Sequence, residues 1–128
     1  MQPSFQSFLF VACGGALGSI ARYGVAALAL RIPVQLPVGT FTANLVGCFL
    51  IGLFTQLAAG MSFVSPNMRL FLTAGFCGGF TTFSTFALEI ITLVDTGQPL
   101  QALVYAVSSV VLGLLALLAG VWIAKALL

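Results

Sequence analysis

Charge is what this 128-residue chain has least of. Its only acids are Glu89 and Asp95, its only bases Arg22, Arg31, Arg69 and Lys125, and it contains no histidine. At 5% charged residues, against about 25% in an ordinary soluble domain, it cannot surround a core with a solvated shell. Four scattered basic side chains form no phosphate-reading patch, which excludes nucleic acid as a partner. Without histidine, neither a nucleophile with its base nor a close pair of carboxylates can be drawn, so no enzyme is expected. Cys13, Cys48 and Cys77 lie in separate apolar stretches with no C-x-x-C spacing. They read as small packing residues, and no transition-metal site is expected.

What the chain has in quantity is apolar surface, at 61% hydrophobic residues and a mean hydropathy of +1.22. Such a composition needs lipid as its solvent. Hydropathy divides residues 1–128 into one domain of four segments, at about 5–30, 39–59, 69–94 and 100–124, each long enough to cross as a helix. Pro33 and Pro37, then Ser65-Pro66-Asn67, then Asp95-Thr96-Gly97-Gln98-Pro99 mark the connectors. The fold class expected is an all-α integral membrane domain of four transmembrane helices. Residues 1 to 8 hold no Lys or Arg, and the first apolar stretch runs past signal-peptide length to Arg22, so it reads as a retained helix. No linker, low-complexity tract or internal repeat stands out.

Basic residues near the membrane faces divide two against two, with Arg69 and Lys125 on one side and Arg22 and Arg31 on the other. Either orientation is then set by other means, or the chain inserts both ways and pairs as an antiparallel homodimer. Gly14 and Gly18, Ala43 and Gly47, and Gly75 and Gly79 stand four apart, a spacing that lets helices approach closely. They are read as favouring assembly, because four short helices enclose little protected volume, with tight packing inside one chain the alternative and the expectation for at least one pair.

The third segment carries the chemistry. Gly75-Phe76-Cys77-Gly78-Gly79-Phe80-Thr81-Thr82-Phe83-Ser84-Thr85-Phe86 places three glycines within five residues and then four hydroxyls within five. That pattern weakens a membrane helix and predicts a break near 75–82, although for the glycines alone a packing face, with Ser and Thr bonding back to the helix, is the simpler reading. At a break, freed carbonyls can hold a cation and a new helix start presents amide donors. The spacing is not that of a Walker loop, and no lysine follows. Phe83 and Phe86 share a helical face, with Phe76, Gly79 and Phe80 on the preceding turn. Aromatic edges are positive and can solvate an anion weakly, although rings on one face more often mean packing. Asn44 brings an amide to membrane depth, as an ion ligand or as a helix-helix hydrogen bond. Tyr105 and Ser109 are four apart in the fourth segment, where an interfacial tyrosine and a back-bonded serine are the simpler readings.

Together, Gly15-Ala16-Leu17-Gly18-Ser19-Ile20-Ala21-Arg22-Tyr23, Gly39-Thr40 with Asn44 and Gly47, and the Gly75 to Phe86 stretch resemble the Fluc, or CrcB, family of fluoride channels. The resemblance extends over essentially the whole chain. It implies an antiparallel dual-topology homodimer in a prokaryotic inner membrane, with two fluoride pores and a central, structural, untransported sodium ion. By that pattern backbone oxygens at Gly78 and Thr81 of both copies hold the sodium. Phe83 and Phe86 match the rings lining the ion path and Asn44 the pore amide, while Ser84, Thr85, Tyr105 and Ser109 supply further hydroxyls. Arg22 matches an arginine near an aqueous vestibule, and Gly113 stands where some relatives carry one more hydroxyl. The competing class is a proton-coupled small multidrug exporter, for which Glu89 is the one candidate carboxylate.

Overall fold

Caps and prolines set the limits of the helices. In the computed structural model, which describes residues 3–128, the Ser4 hydroxyl accepts the Ser7 N–H at 3.2 Å and opens helix α1, Phe5–Ala29. The Pro33 to Pro37 stretch prevents its continuation, and α2 runs from Val38 to Gly60. Ser65 caps the third segment, with Pro66 in the first turn where a missing N–H costs nothing. That segment begins as α3, Pro66–Leu70, and winds on through a π-helical stretch, Phe71–Cys77. It then tightens to a single turn, α4, Gly78–Phe80, and resumes as α5, Phe83–Asp95. Gly97, at a φ of 78°, closes α5: its N–H reaches Val94 and the Gln98 N–H reaches Leu93 at 2.8 Å, the double bond of a Schellman ending. Pro99–Leu127 forms α6. Four helical segments are long and apolar enough to cross a membrane, Pro66–Asp95 counting as one despite its interruption, and the described residues contain no strand.

Glycine determines how the segments meet. A Cβ on Gly18 would stand 2.2 Å from the Phe76 carbonyl oxygen, one on Gly14 2.3 Å from that of Phe71, and one on Gly79 2.4 Å from that of Gly15. Backbone therefore lies on backbone along the whole contact of α1 with the third segment. Opposite it, α2 and α6 interlock in the same manner, Gly52 against Leu117 and Gly120 against Phe49. Ala43 and Gly47 are buried as well, Gly47 facing the Thr81 methyl. The small pairs read as favouring assembly are thus consumed within one chain. Four helices can shelter more than expected because glycine removes the side-chain layer between them.

Candidate functional site

The interruption of the third segment falls at Thr81 and Thr82, both extended, with φ and ψ of −90° and 158° and of −150° and 117°. It lies at the C-terminal edge of the expected stretch. Gly75, Gly78 and Gly79 remain helical, for their role is close approach and not disruption. The hydroxyl residues make the break. Thr82 Oγ1 accepts the Thr85 N–H at 3.3 Å and so caps α5, and it donates to Thr85 Oγ1 at 3.0 Å. Thr81 Oγ1 turns back to the Cys77 carbonyl at 2.9 Å.

Asn44 holds the break open. Its Nδ2 donates to the Thr82 carbonyl at 3.1 Å, and its Oδ1 accepts the Thr82 N–H at 2.8 Å. That N–H would otherwise serve Gly78 four residues earlier, so the reciprocal pair replaces the helical bond the interruption costs. The carbonyls of Gly78, Gly79, Phe80 and Thr81 all lose their helical donors. Gly79 regains one from Arg22 Nε at 3.0 Å, a cation at the negative end of the first half-helix. For Gly78 and Thr81 no donor stands among the described residues. Gly78 is exposed and Thr81 half-buried. Free backbone oxygens suit a hard cation such as sodium, so these residues fit the ion that the resemblance implies.

Two hollows meet at Thr82. The larger, of ≈ 610 Å³, gathers Asn44, Gly78, Thr81, Phe83, Phe86 and Ser109, six of the expected site residues, and no charged side chain lines it. Ser109 Oγ is buried there without a partner. Back-bonding thus belongs to its neighbour Ser108, which donates to the Tyr105 carbonyl at 3.3 Å. The smaller hollow, of ≈ 270 Å³, holds Arg22 and Thr85 with Ser19 and Thr40, and Thr82 borders both. At that hollow the Gly79 carbonyl holds Arg22 through its Nε. Ser84 lines neither hollow and is exposed, its hydroxyl 3.4 Å from Thr82 Oγ1.

The aromatic residues divide at the break. Phe76 and Phe80 stack with centroids 5.8 Å apart on the near side. Beyond it Phe83 and Phe86 are tilted at 5.8 Å, and Phe86 meets Tyr105 edge-on at 5.2 Å. The five residues expected on consecutive turns of one face therefore form two groups, since the extended pair reorients α5. Phe80 is buried, whereas Phe83 is 79% exposed.

Tyr105 is no interfacial tyrosine. It is buried with Leu93 and Ala102, and its hydroxyl donates to Glu89 Oε2 at 2.7 Å. Thr40 Oγ1 donates to Glu89 Oε1 at 2.7 Å, so two hydroxyls hold the Glu89 carboxylate, one on each oxygen. Tyr105 borders a third, largely apolar hollow with Phe41, Val104 and Ser108. Thr82 and Thr40 were not singled out by sequence reasoning. The available signals were a threonine three residues before Thr85 at a helix start, and an acid within an apolar segment that demands donors.

Comparison with known proteins adds identity to this geometry. A family model described as CrcB-like protein, Camphor Resistance (CrcB), matches residues 9–121. A Chlorobium phaeobacteroides protein named fluoride-specific ion channel FluC is 47% identical over 125 residues, covering 98% of this chain and 97% of its own length. Proteins of the same name from Chlorobium chlorochromatii and Paracoccus denitrificans are 46% identical over 113 residues and 47% over 121. The first alignment spans 88% of both chains, the second 94% of this one and 96% of the relative.

Proposed function

The chain belongs to the CrcB family, and from that membership we propose that it is a passive, fluoride-selective ion channel and not an enzyme. It would export fluoride across a prokaryotic inner membrane. The observation that carries the reading is the larger hollow: an amide, an unpartnered buried hydroxyl and two phenylalanine rings beside a helix break, with no charged side chain. A small, strongly hydrated anion entering it exchanges water for neutral donors and positive ring edges. A bare fixed cation would trap such an ion, whereas weak, multiple contacts let it pass.

Arg22 serves at the smaller hollow, raising the local anion concentration without touching the narrow part. Thr82 and Thr85 lead from there to Asn44, Phe83, Phe86 and Ser109. Ser84 and Tyr105 contribute hydroxyls at the margins, Tyr105 while holding Glu89. The channel is an antiparallel dual-topology homodimer with two pores. Support comes from the even division of basic residues and from Phe83 and Gly78, which a lone protomer leaves exposed. A sodium ion at the junction would be held by the Gly78 and Thr81 carbonyls of both copies, supplying a fixed positive charge that ties them together. The exporter reading is not adopted, because two hydroxyls engage Glu89 and it lines neither hollow at the break.

In proteoliposomes with a potassium shunt, fluoride should leave rapidly and chloride should be retained. Chloride efflux at the fluoride rate would overturn the reading. Topology is tested separately in a cysteine-free chain carrying one cysteine in the Asp95–Gln98 turn. An impermeant thiol reagent should label about half of the protein from each side, and one-sided labelling would refute dual insertion.

A further inference from the structure

Cys48 and Cys77 have no role in the path described above, yet the fold brings them to one place. Helix α2 and the third segment run antiparallel, with Asn44 meeting Thr82 and Gly47 meeting Thr81. One turn further along α2 from Asn44 is Cys48, and one turn back along the third segment from Thr81 is Cys77. The register therefore sets the two thiols opposite each other, and both line the larger hollow. Cys77 is 1% exposed and Cys48 half-buried, and neither sulfur makes a hydrogen bond among the described residues. On the far side the Cys48 Sγ is accommodated against Gly113, 3.4 Å from where a Cβ on that residue would stand.

We infer that Cys48 and Cys77 together form a two-thiol site for a soft, linearly coordinating divalent cation, with Hg²⁺ as its probe. Soft metals take sulfur, whereas no carboxylate or imidazole is at hand for a hard or four-coordinate ion. Charge selects the valence. Two thiols lose two protons as the ion binds, two Hg–S bonds form, and the product is neutral: 2 RSH + Hg²⁺ → Hg(SR)₂ + 2 H⁺. A monovalent ion on the same pair of thiolates would leave a net negative charge in an apolar hollow.

The test uses the full chain with Cys13→Ser, purified without reductant, so that Cys48 and Cys77 are the only thiols. Titration with Hg²⁺ should saturate at one ion per protomer, release two protons per ion, and give two sulfur neighbours by X-ray absorption. Cys48→Ser and Cys77→Ser should each bind roughly a hundredfold more weakly, because the second ligand is no longer held nearby. The absorption measurement needs neither variant, so a variant that fails to assemble does not decide the matter. Two ions per protomer with one sulfur each, or a single variant binding as tightly as its parent, would overturn the inference. Binding is the readout, so the outcome stands apart from the fluoride measurement.

Discussion

Fluoride efflux should fall roughly a hundredfold when Asn44 is replaced by leucine. Two losses coincide there: the Thr82 N–H and carbonyl lose both hydrogen bonds, and the hollow loses its amide donor. Leaving one buried polar group unpaired costs about 1–3 kcal/mol, and each 1.4 kcal/mol of barrier is about a factor of ten in rate. Asn44→Asp separates the two roles. It keeps an acceptor for the Thr82 N–H but sets a negative charge beside the anion path, so the dimer should survive while flux disappears. Phe83→Ile and Phe86→Ile keep apolar bulk and remove only the ring edges, and should lower flux on the order of tenfold each. Efflux normalised to dimer content by size-exclusion chromatography decides. Near-normal flux in all four variants would make these residues packing elements only.

The second large effect is on stability. Gly18→Ala drives a Cβ to within 2.2 Å of the Phe76 carbonyl oxygen and 2.8 Å of the Phe80 nitrogen. Both are backbone atoms, which cannot rotate aside as a side chain would. Overpacking of this kind should cost about 3 kcal/mol, enough to lower the yield of folded protein severely. Gly24→Ala is the matched control on the same helix, because a Cβ there meets nothing within 4 Å. It should be neutral or stabilise by about 0.5–1 kcal/mol through helix propensity. Thermal unfolding in detergent compares the two, and equal melting points would show that the contact of α1 with the third segment is looser than described.

Some of this was legible in the residues themselves. Runs of about 20 apolar residues bounded by proline, serine and glycine define four helical segments, since lipid and backbone hydrogen bonding leave few alternatives. The break was legible as a region and not as a place. Glycine weakens a helix and also permits close approach, and only the facing surface of Gly14, Gly15 and Gly18 decides which use prevails. The Asn44–Thr82 pair spans 38 residues and the Thr40–Glu89 contact 49. Such pairings depend on how α2 is rotated against the third segment, which no local pattern encodes. Tyr105 was hidden for the opposite reason: an amphipathic ring near a helix end has an obvious destination at the membrane surface, and here the half-buried Glu89 carboxylate outcompetes it.

The π-helical stretch, Phe71–Cys77, bears on how a gene of this kind can change length. A wide turn holds one residue more than the α-helix that would cover the same height, and it relates structurally to a one-residue insertion in an ordinary helix. Elsewhere in the membrane segments, adding or removing a single codon rotates everything downstream and is ruinous. Here a one-codon deletion would leave an ordinary α-helical turn ahead of the break, regular and still wrong. Gly79 would turn away from Gly15, and Thr82 away from Asn44. The irregularity thus sets the register of Gly79 and Thr82, for which the number of residues between Arg69 and Thr81 matters more than most of their identities.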